Sequence, residues 1–289
     1  MVQEITSLKQ LHNVQLEALA EFKRVCEKHG LRWFLHGGTM LGALRHGGPI
    51  PWDDDIDIAM LWDDYARFKQ VALQDMDARF VFCDHSDDTE FFDFVPRITD
   101  NAYKYRLTSN YVDRFGEEFG NPGMDIFVFV PACKGYKDSL QTLRLTMNYA
   151  KALGHRKFVD HCAFSGAAKI ASYILPAIGK HKSIAELLHQ RDKLAAWGSA
   201  DSGLLRIAND LPTYMDRRYQ MEWYVLQDGE ERMVNFSGLD LPIPQNAEGE
   251  LCEVYGESWR ELPPASSRVP SHAALDYCAD ELAGGGSGL

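Results

Sequence analysis

Between Leu35 and Met60 the chain reads LHGGTMLGALRHGGPIPWDDDIDIAM, and the residue types suit phosphate and metal chemistry. Side chains alternate along a strand, so Asp55 and Asp57 project from one face while Ile56 and Ile58 pack on the other. Two like charges on one face of an otherwise apolar strand repel unless something positive sits between them. A divalent cation fits, and Mg²⁺ takes one or two carboxylates plus substrate phosphates. By the same alternation Asp53 lies on the Asp55 face and Asp54 opposite, which gives them supporting roles in the loop or around the metal's ligands. Upstream, Gly37 and Gly38 form a turn at the mouth of a short helix. There the missing side chains let a phosphate oxygen reach backbone N–H groups, and the helix N-terminus favours an anion. Thr39 adds a hydroxyl.

Rival readings of the acidic run fit less well. A calcium loop starting at Asp53 requires Gly at its sixth position and Glu at its twelfth, where this chain has Ile58 and Asp64. Sugar transferases with an Asp-x-Asp pair commonly place a long nucleotide-binding α/β segment before it, and here only one helix, one strand and the glycine turn precede. Downstream, MDIFVFV at 124–130 brings a third carboxylate, Asp125, with two competing roles: metal ligand, or base for a hydroxyl proton. An acidic protein that binds a diphosphate also needs cations. Arg45 and His46 are the first candidates and Arg97, Lys104 and Arg106 the next, because Arg can grip phosphate through two parallel hydrogen bonds. Trp52 is read as a wall of the loop.

Periodicity supplies the positioning elements. Leu8, Leu11, Val14, Ala18, Phe22 and Val25 predict an amphipathic helix stopped by Gly30. Strands are expected over 31–36, 53–60, 79–83, 91–98 and 124–130, with helices over 39–45 and 61–78. From 139 to 197 the texture is helical, and the apolar segment 167–180, broken by Pro176, is read as a core helix in preference to a surface that docks on a membrane. Short strands and turns fill 218–275. The fold class expected is α+β, with a mixed sheet, flanking helices and a helical subdomain. One unit over 1–275 contains that subdomain at about 139–200, and the Gly-rich end of 276–289 is expected to be disordered.

Composition narrows the partners. The 289 residues carry a net charge of −12, which argues against a nucleic-acid surface. No basic-then-apolar leader opens the sequence and no apolar run reaches a membrane span. The six cysteines show no Cys-x-x-Cys pairing, so no zinc site or disulfide framework is expected and a reduced, cytoplasmic setting is the simplest reading.

The order strand, Gly-Gly, helix, strand with Asp-x-Asp, and later a strand with a third carboxylate resembles the nucleotidyltransferase superfamily. Within it, LHGGTMLGALRHGGPIPWDDDIDIAM, GMDIFVF and LPIPQNAEGELCEVYGESWRELPPASSRVPSH resemble the LicD/fukutin family of phosphotransferases. The resemblance implies a nucleotidyltransferase-like core and transfer of a substituted phosphate, such as phosphocholine or an alditol phosphate, from a CDP-linked donor to a glycan or glycolipid hydroxyl, releasing CMP. It implies Mg²⁺, with Mn²⁺ as a substitute, held by Asp55, Asp57 and Asp125. The donor phosphates would meet Gly37, Gly38, Thr39, Arg45, His46 and Arg97. Acceptors of this kind, cell-surface glycans or their lipid-linked precursors, allow transient contact with the inner membrane face. The alternative with the same carboxylates is nucleotidyl transfer from a nucleoside triphosphate with release of pyrophosphate.

Overall fold

The computed structural model describes residues 2–84, 94–106, 120–156, 159, 161, 165–209, 216–224 and 231–270. The expected tail at 276–289 lies outside the described residues. In chain order the elements that frame the site are β1 (Gln3–Glu4), α1 (Leu8–His29), β2 (Phe34–Leu35), α2 (Gly37–His46), β3 (Asp57–Leu61), α3 (Trp62–Asp75), β4 (Phe80–Cys83), β5 (Arg97–Asp100), β6 (Tyr103–Lys104) and β7 (Gly123–Pro131). Then follow α4 (Tyr136–Ala152), α5 (Gly166–Gly179), α6 (Ile184–Ala195), β8 (Leu204–Ile207), β9 (Tyr219–Gln220), β10 (Arg232–Phe236), β11 (Leu239–Ile243) and α7 (Ala247–Tyr255). The fold is α+β, as its sequence pattern implies.

Among the described residues seven strands make one mixed sheet in the order β2-β3-β7-β5-β4, with β8 pairing β7 and β9 pairing β8. The strand β7 is the spine. It runs parallel to β3 from Asp125 to Phe129, antiparallel to β5 over Gly123–Asp125, and antiparallel to β8 over Phe129–Pro131. Its near-continuous apolar sequence follows from this position, since Met124, Ile126, Val128, Phe129 and Val130 are all buried. The hairpin β10–β11 pairs separately.

The helix α1 is read correctly from its periodicity. Ser7 caps it by accepting from the Gln10 N–H, and Gly30 closes it in the left-handed region. Its apolar face enters the main core, where Phe22 packs edge-on against Trp33 and Phe68 at 5.0 and 5.1 Å between ring centroids. Burying each such aromatic contributes about 2–3 kcal/mol.

Four differences from the sequence reading matter. The ladder of β3 begins at Asp57, not Asp53, so residues 53–56 are an irregular approach to the strand. Burial nevertheless alternates through it: Asp54, Ile56 and Ile58 are buried while Asp53, Asp55 and Asp57 are half-buried. The helix α2 starts at Gly37, so both glycines belong to its first turn and do not precede it. The segment expected at 91–98 forms a ladder only at Arg97–Asp100; part of its expected start lies outside the described residues. The helix α5 is not a core helix, because Ile170, Tyr173, Ile174 and Ile178 are exposed. An all-apolar helix reads as buried from sequence, but here the buried line is made by Ser172, Pro176 and Gly179.

Candidate active site

The start of β3 is pinned by the helix before it. The Asp57 N–H donates to the Thr39 hydroxyl at 2.8 Å, and the Asp57 carbonyl accepts from the His36 N–H at 3.1 Å. Thr39 is buried, which makes that hydroxyl a structural acceptor, with its own proton left to donate. Because α2 opens with Gly37 at φ +52°, its first turn lies directly against the acidic side chains. A Cβ at Gly37 would stand 3.5 Å from Asp57 Oδ2, and one at Gly38 only 2.9 Å from Asp53 Oδ2. The opening N–H groups of a helix have no acceptor within it, so this close approach puts a cluster of donors beside the carboxylates.

The acidic run is held from the other side by α1. The His12 ring Nε2 lies 2.7 Å from the Asp53 carbonyl, and the Gln15 amide donates to the Asp54 carbonyl at 3.0 Å and to the Gly123 carbonyl at 3.3 Å. Gln15 is completely buried and thereby ties the run to the first residue of β7. Asp53, Asp54 and Asp55 each offer a carboxylate oxygen within 4.8 Å of the others, an all-oxygen donor set. Hard cations such as Mg²⁺ take such sets.

Across the sheet, Asp57 and Asp125 are register partners on β3 and β7, and Asp125 and Arg97 are register partners on β7 and β5. Arg97 Nη2 lies 3.2 Å from Asp125 Oδ1 and 3.3 Å from Oδ2, so one guanidinium nitrogen faces both carboxylate oxygens. Tyr105, packed against Ile5, Leu8, Leu11 and Val14, feels these charges. Desolvation pushes its hydroxyl well above the ordinary range, the nearby Asp54, Asp125 and Asp55 charges add to the rise, and Arg97 opposes it. Tyr105 therefore stays neutral beside the acidic side chains.

The phosphate-binding residues expected on α2 divide into two places. Gly37, Gly38 and Thr39 open α2, whereas Arg45 and His46 close it, about 10 Å further along the axis. Arg45 donates to the Trp259 and Glu261 carbonyls at 3.1 and 3.2 Å, and its Nε donates to His46 Nε2 at 3.0 Å. This bond requires His46 Nε2 to be unprotonated. Burial and then the Arg45 charge lower the His46 pKa, so at neutral pH it is a neutral acceptor. Lys104 is exposed on β6, paired with β1.

Sequence reasoning missed several residues around this end. Trp52, read as a wall of the loop, is approached by two guanidinium groups, the expected Arg45 at 6.0 Å and the unexpected Arg268 at 5.5 Å from its ring centroid. Tyr255, from the end of α7, brings its hydroxyl within 4.0 Å of the position a Gly37 Cβ would take. His36, the residue that caps α2, packs edge-on against Phe129 and Tyr219 and places Nδ1 3.2 Å from Glu250 Oε1, while the Tyr224 hydroxyl donates to Glu250. A polar Gln15 on the apolar face of α1 was the visible signal for the tie to the acidic run. Arg268, Tyr255 and Glu250 stand in the C-terminal segment that carries the resemblance, but nothing in the linear order singled them out, and they reach the site through tertiary folding.

Residues 30–153 match the family model described as LicD/FKTN/FKRP, nucleotidyltransferase domain. Over that stretch, less than half of the chain, the sequence is similar to the LicD family. The stretch runs from the end of α1 through α4 and includes Gly37, Gly38, Asp55, Asp57, Arg97 and Asp125. The chain is also similar to the lipopolysaccharide cholinephosphotransferase LicD of Haemophilus influenzae, 45% identical over 69 residues that cover 24% of this chain and 26% of the relative. It is similar to the human ribitol 5-phosphate transferase FKRP, 43% identical over 60 residues, 19% of this chain and 12% of that protein. The chain thus matches about a quarter or less of each curated relative's length.

Proposed function

We propose that the protein transfers a substituted phosphate, of the phosphocholine or alditol phosphate type, from a CDP-linked donor to a hydroxyl of a cell-surface glycan or its precursor, with release of CMP. The observation that carries this reading is the in-register row Asp57–Asp125–Arg97 facing the glycine-opened N-terminus of α2. Two relatives named for transferring phosphocholine and ribitol 5-phosphate support the class of group moved, and one named for lipopolysaccharide supports a glycan acceptor.

In this reading the donor diphosphate lies against the first-turn N–H groups at Gly37 and Gly38, where the missing side chains leave room for its approach. Thr39 keeps Asp57 in place. Asp55 and Asp57, with the Asp53 and Asp54 carboxylates close to that of Asp55, fit Mg²⁺ by their donor chemistry. Mg²⁺, or Mn²⁺ in its place, would neutralise charge on the phosphate oxygens and on the departing nucleotide. Asp125, oriented by Arg97, takes the proton of the acceptor hydroxyl. The acceptor oxygen then bonds to the distal phosphorus, the bond from that phosphorus to the bridging oxygen breaks, and CMP leaves with the electron pair. The free thiols Cys26, Cys83, Cys133 and Cys252 support a reducing, cytoplasmic setting.

The test is the identity of the leaving group. The protein with Mg²⁺ is incubated with CDP-choline, CDP-ribitol or CDP-glycerol and a panel of glycan acceptors, and nucleotides are resolved by chromatography. CMP with a phosphorylated glycan is expected. Pyrophosphate from CTP, with no CMP from any CDP-linked donor, would select nucleotidyl transfer instead.

A further inference from the structure

Most surface helices turn their large apolar side chains inward, and α5 does the reverse. On its buried side the packing is backbone-close: a Cβ on Gly179 would collide with the Lys151 carbonyl at the end of α4, and one on Gly154 with the Pro176 carbonyl. Small residues seat the helix. What remains faces water: Ile170 is 64% exposed, Tyr173 54%, Ile174 53% and Ile178 45%. At about 100° per residue these four positions form one stripe opposite Ser172, Pro176 and Gly179. The preceding helix α4 repeats the pattern, with Tyr136, Leu143 and Met147 exposed on the side away from its buried Gln141, Leu145 and Tyr149. Isolated surface isoleucines are ordinary, whereas an uninterrupted stripe marks a contact surface.

Charge identifies the partner. Between Asp138 and Glu186 the chain has a single acidic residue, Asp160, against five lysines and two arginines, although the whole protein carries −12. Lys169 and Lys180 are exposed along one border of the stripe, and Lys182 follows half-buried. An apolar stripe edged by lysine, within an otherwise acidic protein, is the signature of a helix lying in the plane of an anionic bilayer. A second copy presenting the same face would set lysine near lysine.

We propose that α5 docks on an anionic phospholipid surface, with Ile170, Tyr173, Ile174 and Ile178 entering the headgroup boundary and Lys169 and Lys180 on lipid phosphates. The test is flotation of the full chain with phosphatidylcholine vesicles, with and without phosphatidylglycerol, and with no nucleotide or acceptor. Its outcome is therefore independent of the proposed transfer reaction. The protein is expected to float with the anionic vesicles only, and less at raised salt. Replacing both Lys169 and Lys180 by Gln should weaken partitioning by about fivefold per lysine. The combined Ile170→Ser, Ile174→Ser, Ile178→Ser variant should lose flotation with an unchanged melting temperature, because those side chains already meet water. Amide exchange over 166–182 should slow on anionic vesicles. Failure of the wild type to float, flotation unaffected by the triple substitution, or exchange protection of 166–182 by self-association without vesicles would each overturn the proposal.

Discussion

Asp57 and Asp125 sit opposite each other on neighbouring parallel strands, and Arg97 faces Asp125 from the strand beyond. Side chains at paired positions project from the same side of a sheet. The three adjacent strands therefore present two carboxylates and one guanidinium in a single row, and the helix that immediately precedes β3 in space closes the row with its glycine N-terminus. Chain segments 68 residues apart, Asp57 and Asp125 among them, are brought together by the parallel pairing of β3 with β7.

The Thr39 hydroxyl is the acceptor for the Asp57 N–H in a buried place, so its loss should be felt at the site and in the fold. Thr39→Val leaves that N–H unsatisfied and should destabilise by about 1–3 kcal/mol. Thr39→Ser keeps the oxygen and should recover most of it. Urea unfolding of the two variants checks this, with transfer activity following the same order.

Gly38 is expected to matter for the acidic run more than for stability. A Cβ there meets the end of the Asp53 side chain at 2.9 Å, so the carboxylate must turn away. Alanine favours a helix over glycine by about 1 kcal/mol, which protects the fold. Gly38→Ala should therefore weaken divalent-cation binding several-fold with the melting temperature kept or raised. Titration with Mn²⁺ followed by water-proton relaxation reads the affinity directly, and an unchanged affinity would separate Asp53 from the cation.

How much of this was visible in the sequence differs by residue. The helix α1, the glycine pair beside the acidic run and the carboxylates of β3 and β7 follow from periodicity and spacing, since each signal is local. The convergence of Asp53 with Asp54 and Asp55 does not, because it depends on a loop held by His12 and Gln15 from another element. Arg45 was legible as a cation but not as one committed to the Trp259 and Glu261 carbonyls, more than two hundred residues away. The apolar run of α5 was legible as a helix, but its outward face was not. Hydrophobicity reports affinity for an apolar phase and does not say whether that phase is the protein core.

His46 is expected to titrate below the ordinary histidine range, since burial and the Arg45 charge disfavour its cation. The unfolded chain then binds the extra proton more readily than the folded one. This contribution to stability is complete above about pH 6.5 and declines as pH falls beneath that value toward the folded pKa. Ring-resonance NMR titration should show the low midpoint, and Arg45→Ala should move it upward. A midpoint unaffected by that substitution would contradict the Arg45–His46 bond.

On the proposed reading, transfer occurs at the Asp57–Asp125 row. Its most direct measurement is the rate of CMP formation from a CDP-linked donor by wild type, Asp57→Asn and Asp125→Asn, all with Mg²⁺ and a competent acceptor, after circular dichroism has shown each variant folded. Each substitution should lower the rate by about a hundredfold or more, the scale on which preorganised charge acts in active sites. CMP formation at an undiminished rate in either folded variant would contradict the account.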